Sequence, residues 1–153
     1  MERVADYPRP PRLEPSTRRV RVVLGGETIV DTTSAWRVLE TNHPPAWYIP
    51  PVAFAPGTLV PAVGSSHCEW KGRARYFDLV AGGKRAARAA WAYPKPTPAF
   101  APLADHVALY AGRVDACFVD EERVTPQPGG FYGGWITSDV EGPFKGAPGT
   151  EGS

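Results

Sequence analysis

The sequence has only two cysteines, Cys68 and Cys117. They form no C-x-x-C pair, which excludes a disulfide framework. A tetrahedral zinc site takes four closely spaced Cys or His ligands. Here His43, His67 and His106 are scattered. His67 and Cys68 are adjacent, so in a strand they face opposite sides. No metal and no other cofactor is expected. Long apolar runs are also missing. None approaches the ~20 residues of a membrane span, and the charged N-terminus has no apolar stretch of the secretory kind. With free thiols, this points to the cytoplasm. Nor does charge of one sign dominate: 17 Lys and Arg face 16 Asp and Glu. Such a balance gives no ground for a nucleic-acid or membrane partner.

Familiar catalytic machinery is absent as well. There is no Walker loop, dinucleotide fingerprint, G-x-S-x-G elbow or H-E-x-x-H. Gly64-Ser65-Ser66 has a nucleotidyltransferase flavour, but no D-x-D pair follows to hold magnesium for phosphoryl transfer. The 153 residues suit one domain, large enough to bury a core without staples.

What is abundant is punctuation: 18 prolines and 16 glycines. They suit many short strands and disfavour long helices. Residues 1–18 hold Pro8, Pro10, Pro11 and Pro15 with four arginines, and read as an extended arm. Residues 19–24 and 27–31 around Gly25-Gly26 give the strongest hairpin signal. Residues 36–40 and 46–49 are strands separated by His43-Pro44-Pro45, and residues 52–64 read as a connector. Residues 73–80 turn at Gly82-Gly83 into residues 84–93. The alanines there suit helix or strand, and the Gly-Gly turns favour strand. Alternation through Ala90-Trp91-Ala92-Tyr93 then puts Trp91 and Tyr93 on one face. Residues 107–110 and 114–120 read as another hairpin. Residues 125–153 carry Phe131, Tyr132, Trp135, Ile136 and Phe144. Leaving such side chains in water costs about 1.5–3 kcal/mol each, so this extension is expected to fold back on a β domain spanning residues 19–124.

Chemistry concentrates between residues 65 and 94. Ser66, His67, Cys68, Glu69, Trp70, Lys71 and Gly72 are followed by Tyr76, Trp91 and Tyr93. A thiol becomes a nucleophile when a cation or histidine favours its thiolate. For Cys68 the candidates are Lys71 and, through space, His43 or His106; the alternative is a small buried thiol. Lys71 before Gly72 can hold an ammonium over a cleft, or can simply be solvated at a turn. Lys71, Arg73, Arg75, Lys84, Arg85 and Arg88 share a stretch with one acid, Asp78, which would attract an anion or form a solvated face. Trp47, Tyr48, Trp70, Tyr76, Trp91, Tyr93 and Tyr110 can line a cage for a flat ligand. Trp70-Lys71-Gly72 has a short echo in Phe144-Lys145-Gly146.

Taken together, the opening hairpin, His43-Pro44-Pro45, the stretch from His67 to Gly72, Tyr76, the stretch from Ala89 to Pro94 and Tyr110 resemble the bacterial domain-of-unknown-function family 427. The likeness covers residues 19–122. Glu69 stands where that family usually has proline. The resemblance implies a compact, mainly β, antiparallel β-tent (Mss4-like) with short helical turns and no long helices. That architecture is similar to methionine sulfoxide reductase B and to the ligand-binding domain of cereblon, whose zinc-holding cysteines have no counterpart here. By analogy it suggests either thiol chemistry or an aromatic cage.

The leading expectation is a small-molecule binding module. Lys71, Tyr76, Trp91, Tyr93, Trp47 and Tyr110 would hold an anionic ligand with a planar group. One alternative is a thiol-dependent enzyme using Cys68. Another is a protein-interaction domain whose assembly depends on residues 125–153 while its fold does not. A homodimer is compatible with each.

Overall fold

The computed structural model describes residues 1–68 and 71–147. Glu69, Trp70 and residues 148–153 lie outside the described residues, and with them the Glu69-for-proline exchange. The chain is mainly β, in several antiparallel sheets with short 3-10 turns and no long helix among the described residues. Its strands are β1 (Glu2–Arg3), β2 (Arg12–Pro15), β3 (Val20–Leu24), β4 (Glu27–Thr32), β5 (Trp36–Leu39), β6 (Ala46–Tyr48), β7 (Leu59–Cys68), β8 (Gly72–Ala81), β9 (Lys84–Ala92), β10 (Val107–Leu109), β11 (Ala116–Val119), β12 (Glu122–Arg123), β13 (Thr125–Pro126), β14 (Trp135–Ile136) and β15 (Val140–Glu141).

Two four-stranded sheets enclose the main core. One runs β10-β9-β8-β7 and the other β12-β11-β3-β4. Strand β3 buries every second residue, Val20, Val22 and Leu24, as its alternation dictates. On β4 the neighbours Ile29 and Val30 are both buried. A register shift between Val22 and Val23 admits one extra residue there, which lets two successive side chains turn inward. From the facing sheet come Leu79, Ala89, Ala90, Ala92 and Leu109. A third sheet, β2-β5-β6, joins the first through reciprocal backbone hydrogen bonds of 2.8 Å between Ile49 and Val107.

The two Gly-Gly hairpins meet back to back. A Cβ on Gly25 would lie 2.2 Å from the Ala81 carbonyl oxygen, and one on Gly82 would lie 2.0 Å from the Gly25 oxygen. Both also have positive φ, +60° and +55°, which a two-residue hairpin turn demands and glycine supplies. Gly25→Ala is expected to cost about 1–3 kcal/mol, measured by urea denaturation. Gly26→Ala should cost less, because a Cβ there meets nothing within 4 Å.

Several expectations change. The connector over 52–64 holds the first half of β7. Residues 107–110 and 114–120 do not pair with each other: β10 joins β9, whereas β11 joins β3. The intervening 3-10 turn Ala111–Arg113 carries the chain from one sheet to the other. The arm, read from the sequence as extended, takes part in the sheets and pairs with the extension. β2 pairs with β5, β1 pairs in parallel with β15, and β13 pairs with β14. Val4 and Trp135 are almost fully buried. Deleting residues 125–153 would therefore remove core, contrary to the expectation that the fold would survive it.

Candidate functional site

Strand β9 sorts its side chains by size. Ala90 and Ala92 face the main core, where two sheets meet closely, while Trp91 and Tyr93 belong to the opposite face. Tyr76 sits across from Trp91 on β8. The β7–β8 hairpin sets Cys68 opposite Gly72, with Lys71 just before that glycine. Gly72 has φ +99°, a conformation that favours glycine at the turn. The third sheet contributes Val38, Ala46 and Tyr48, and the loop after β5 contributes Glu40 and His43.

These surfaces enclose a cavity of about 490 Å³. Of the residues expected to hold a ligand or act as the thiol, Cys68, Lys71, Tyr76, Trp91, Tyr93 and Tyr110 line it. Trp47 does not. It is 2% exposed and stacks on Trp135 in the main core, ring centroids 6.3 Å apart. Its neighbour Tyr48 takes the wall instead, since successive residues of β6 face opposite ways. His43 and His67 also line the cavity, whereas His106 lies outside it, its Nδ1 3.1 Å from the Ala104 carbonyl.

The aromatic wall is tied together. Trp91 Nε1 donates to the Tyr48 hydroxyl at 3.3 Å, and the Trp91 and Tyr110 ring centroids are 4.7 Å apart. The Tyr76 hydroxyl and Ser66 Oγ are 2.7 Å apart. Burial pushes the Tyr48 and Tyr93 hydroxyls well above the ordinary tyrosine range, so both stay neutral donors and acceptors. Arg88 and Arg113 lie over the rings of Tyr76 and Tyr110, each at 4.3 Å.

Two lysines bring positive charge to the cavity, and Glu40, beside His43, brings one carboxylate. Lys71 is only 9% exposed, and its Nζ lies 5.7 Å from the Tyr93 ring centre. Lys145 is half-buried, with Nζ 5.8 Å from the Tyr132 ring centre. Neither has a carboxylate within ion-pair distance among the described residues. The rest of the basic patch is partly neutralised elsewhere, Arg85 by Asp78 and Lys84 by Asp115. The Phe144-Lys145-Gly146 echo thus takes on structural meaning. Each lysine precedes a glycine with φ +99°, each lies over a tyrosine, and both face one cavity.

Sequence reasoning missed Gln127, Tyr132, Gly133, Gly134 and Lys145, which close the cavity from the C-terminal side. Gly133 rests against the Trp91 ring, where a Cβ would come within 2.1 Å. Cys117 is buried between the main sheets, and burial raises its thiol pKa.

The arrangement defines a mainly β protein with an aromatic cavity, carrying two lysines and a glutamate, at the junction of two sheets and a C-terminal segment. The chain belongs to the family described as a domain of unknown function, DUF427, whose model matches residues 12–120. No curated protein matches the sequence. The matched stretch ends before Gln127, so the C-terminal wall lies outside it.

Proposed function

We propose that the cavity binds a small anionic molecule carrying a planar group. The observation that supports this reading is Lys71, a buried ammonium with no carboxylate partner among the described residues, in an aromatic-walled cavity. A buried charge is costly unless it is paired, and an anionic ligand supplies the missing partner. The Trp91, Tyr93 and Tyr110 rings offer faces to a flat group, and Lys145 adds a second positive charge.

The test is titration with a panel of planar carboxylates and aryl phosphates, followed by tryptophan fluorescence and calorimetry. Lys71→Met is expected to weaken the binding found by roughly 10–100-fold, the worth of a hydrogen bond to a charged group, without lowering the melting temperature. Binding that survives Lys71→Met with Lys145→Met, or no binding across the panel, rejects the reading.

Thiol chemistry at Cys68 has one observation in its favour: the half-buried sulfur shares the cavity with His43. Cys117, enclosed in the other core, offers no resolving thiol.

A further inference from the structure

The state of His43 is set by Gln127, which is 4% exposed. Gln127 Oε1 accepts the Gly134 N–H at 3.0 Å, and Nε2 donates to the Lys145 carbonyl at 2.8 Å. Those two backbone groups fix the amide, because turning it over would set N–H against N–H and oxygen against oxygen. The second Nε2 hydrogen is left for His43 Nδ1, 3.1 Å away. Nδ1 must then accept, and the imidazole proton resides on Nε2. The surroundings act in the same sense. Burial lowers the His43 pKa, Glu40 opposes this, and Lys145, Arg9 and Lys71 lower it further. Tyr132 meets the ring edge-on at 5.2 Å.

We propose that Gln127 is a positioning residue that holds His43 as a neutral Nε2–H donor, and that His43 and Glu40 together recognise a hydroxyl group of the ligand. This rests on reading the cavity as a site for a planar anion. His43 Nε2 and Glu40 Oε2 are 4.0 Å apart, too far for a hydrogen bond. One oxygen about 2.8 Å from each atom spans that gap with an angle of about 90°. It must accept from Nε2–H and donate to the carboxylate. A hydroxyl does both, whereas a carboxylate or ionised phosphate oxygen cannot donate and an ammonium cannot accept. Lys71 and Lys145 hold the charge of the ligand, and the His43–Glu40 end selects a neutral polar group. The same lock removes His43 as proton carrier for Cys68, since a proton on Nδ1 would set two donors face to face.

The lock is tested by imidazole nitrogen NMR on the full chain. The expected result is an unprotonated Nδ1, a protonated Nε2 and a titration midpoint below the ordinary ~6.5. Gln127→Glu places a carboxylate oxygen against Nδ1 and is expected to raise the midpoint. Because that charge can unfold the segment, Gln127→Met serves as a second variant, freeing both tautomers. A wild-type Nδ1–H tautomer, or a midpoint unmoved in both variants, overturns the lock. The hydroxyl is tested by titrating benzoate and its three monohydroxy derivatives. At least one hydroxybenzoate should bind about tenfold tighter than benzoate, with the advantage lost in Glu40→Ala. Equal affinities overturn the hydroxyl assignment. If none of the four binds while the tautomer is as expected, the anion reading and the hydroxyl fall together and the lock stands.

Discussion

Replacing both Glu2 and Glu14 by glutamine is expected to destabilise the protein by about 3–5 kcal/mol, more than Arg37→Met does alone. The asymmetry comes from exposure. The Arg37 side chain is 8% exposed, whereas those of Glu2 and Glu14 are 44% and 37% exposed. Arg37 Nη1 and Nη2 donate to Glu2 at 3.1 Å, and Nε and Nη2 donate to Glu14 at 3.0 and 2.5 Å. Facing two neutral amides, which can still accept but carry no charge, the guanidinium is an uncompensated buried charge. Without the guanidinium, the two carboxylates can hydrate. Adding Arg37→Met to the double variant should therefore restore much of the loss, and urea denaturation of the set decides. Acid should reproduce part of the effect. The Arg37 hydrogen bond lowers the Glu2 pKa in the fold. The stabilisation is full above the unfolded value near ~4.3 and is lost as pH falls through the folded value below it.

Trp135→Ala is expected to cost about 3–5 kcal/mol, a large share of the roughly 5–15 kcal/mol that holds a typical domain together. Trp135 is 1% exposed and stacks on Trp47. Its indole N–H donates to the Leu109 carbonyl at 3.2 Å, and its backbone N–H donates to Pro45 at 2.8 Å. Trp135→Phe should retain part of the packing and lose less. A chain cut after Val124 should show no cooperative urea transition. By contrast Phe131, 76% exposed, should tolerate alanine within about 0.5 kcal/mol. A cooperative transition in the truncated chain would show that the segment is dispensable, as the interaction-domain expectation requires.

The parts of the fold legible in the sequence were those governed by local rules. Gly25-Gly26 and Gly82-Gly83 demanded hairpins through their permitted φ, and Trp91 and Tyr93 shared a face because strand side chains alternate. Proximity along the chain was enough to bring Cys68, Lys71 and Tyr76 together, since one hairpin carries them all. What alternation cannot supply is which face looks where. Trp47 and Tyr48 are equally aromatic neighbours, and only the packing of β6 between a core and a cavity assigns Tyr48 to the wall. His43 and His106 were likewise equivalent in sequence, and the loop after β5 decides for His43. Gln127 and Lys145 lay beyond local reasoning, because their contacts with His43 and Asn42 cross 84 and more residues of chain. The lysine–glycine echo was the trace of Lys145, and it left none of Gln127.

The parallel pairing of Glu2–Arg3 with Val140–Glu141 bears on how the protein comes into being. A nascent chain emerges N-terminus first, at about 5–20 residues per second. Glu2–Arg3 must therefore wait through more than a hundred residues of synthesis, until Val140–Glu141 emerges, before it can pair. Arg18 waits in the same way for Asp120 and Asp139, and the cavity needs residues from Val38 to Lys145. Contacts this distant along the chain favour slow folding. Acquisition of the native state, and of any capacity to hold a ligand, is thus deferred until Lys145 has emerged.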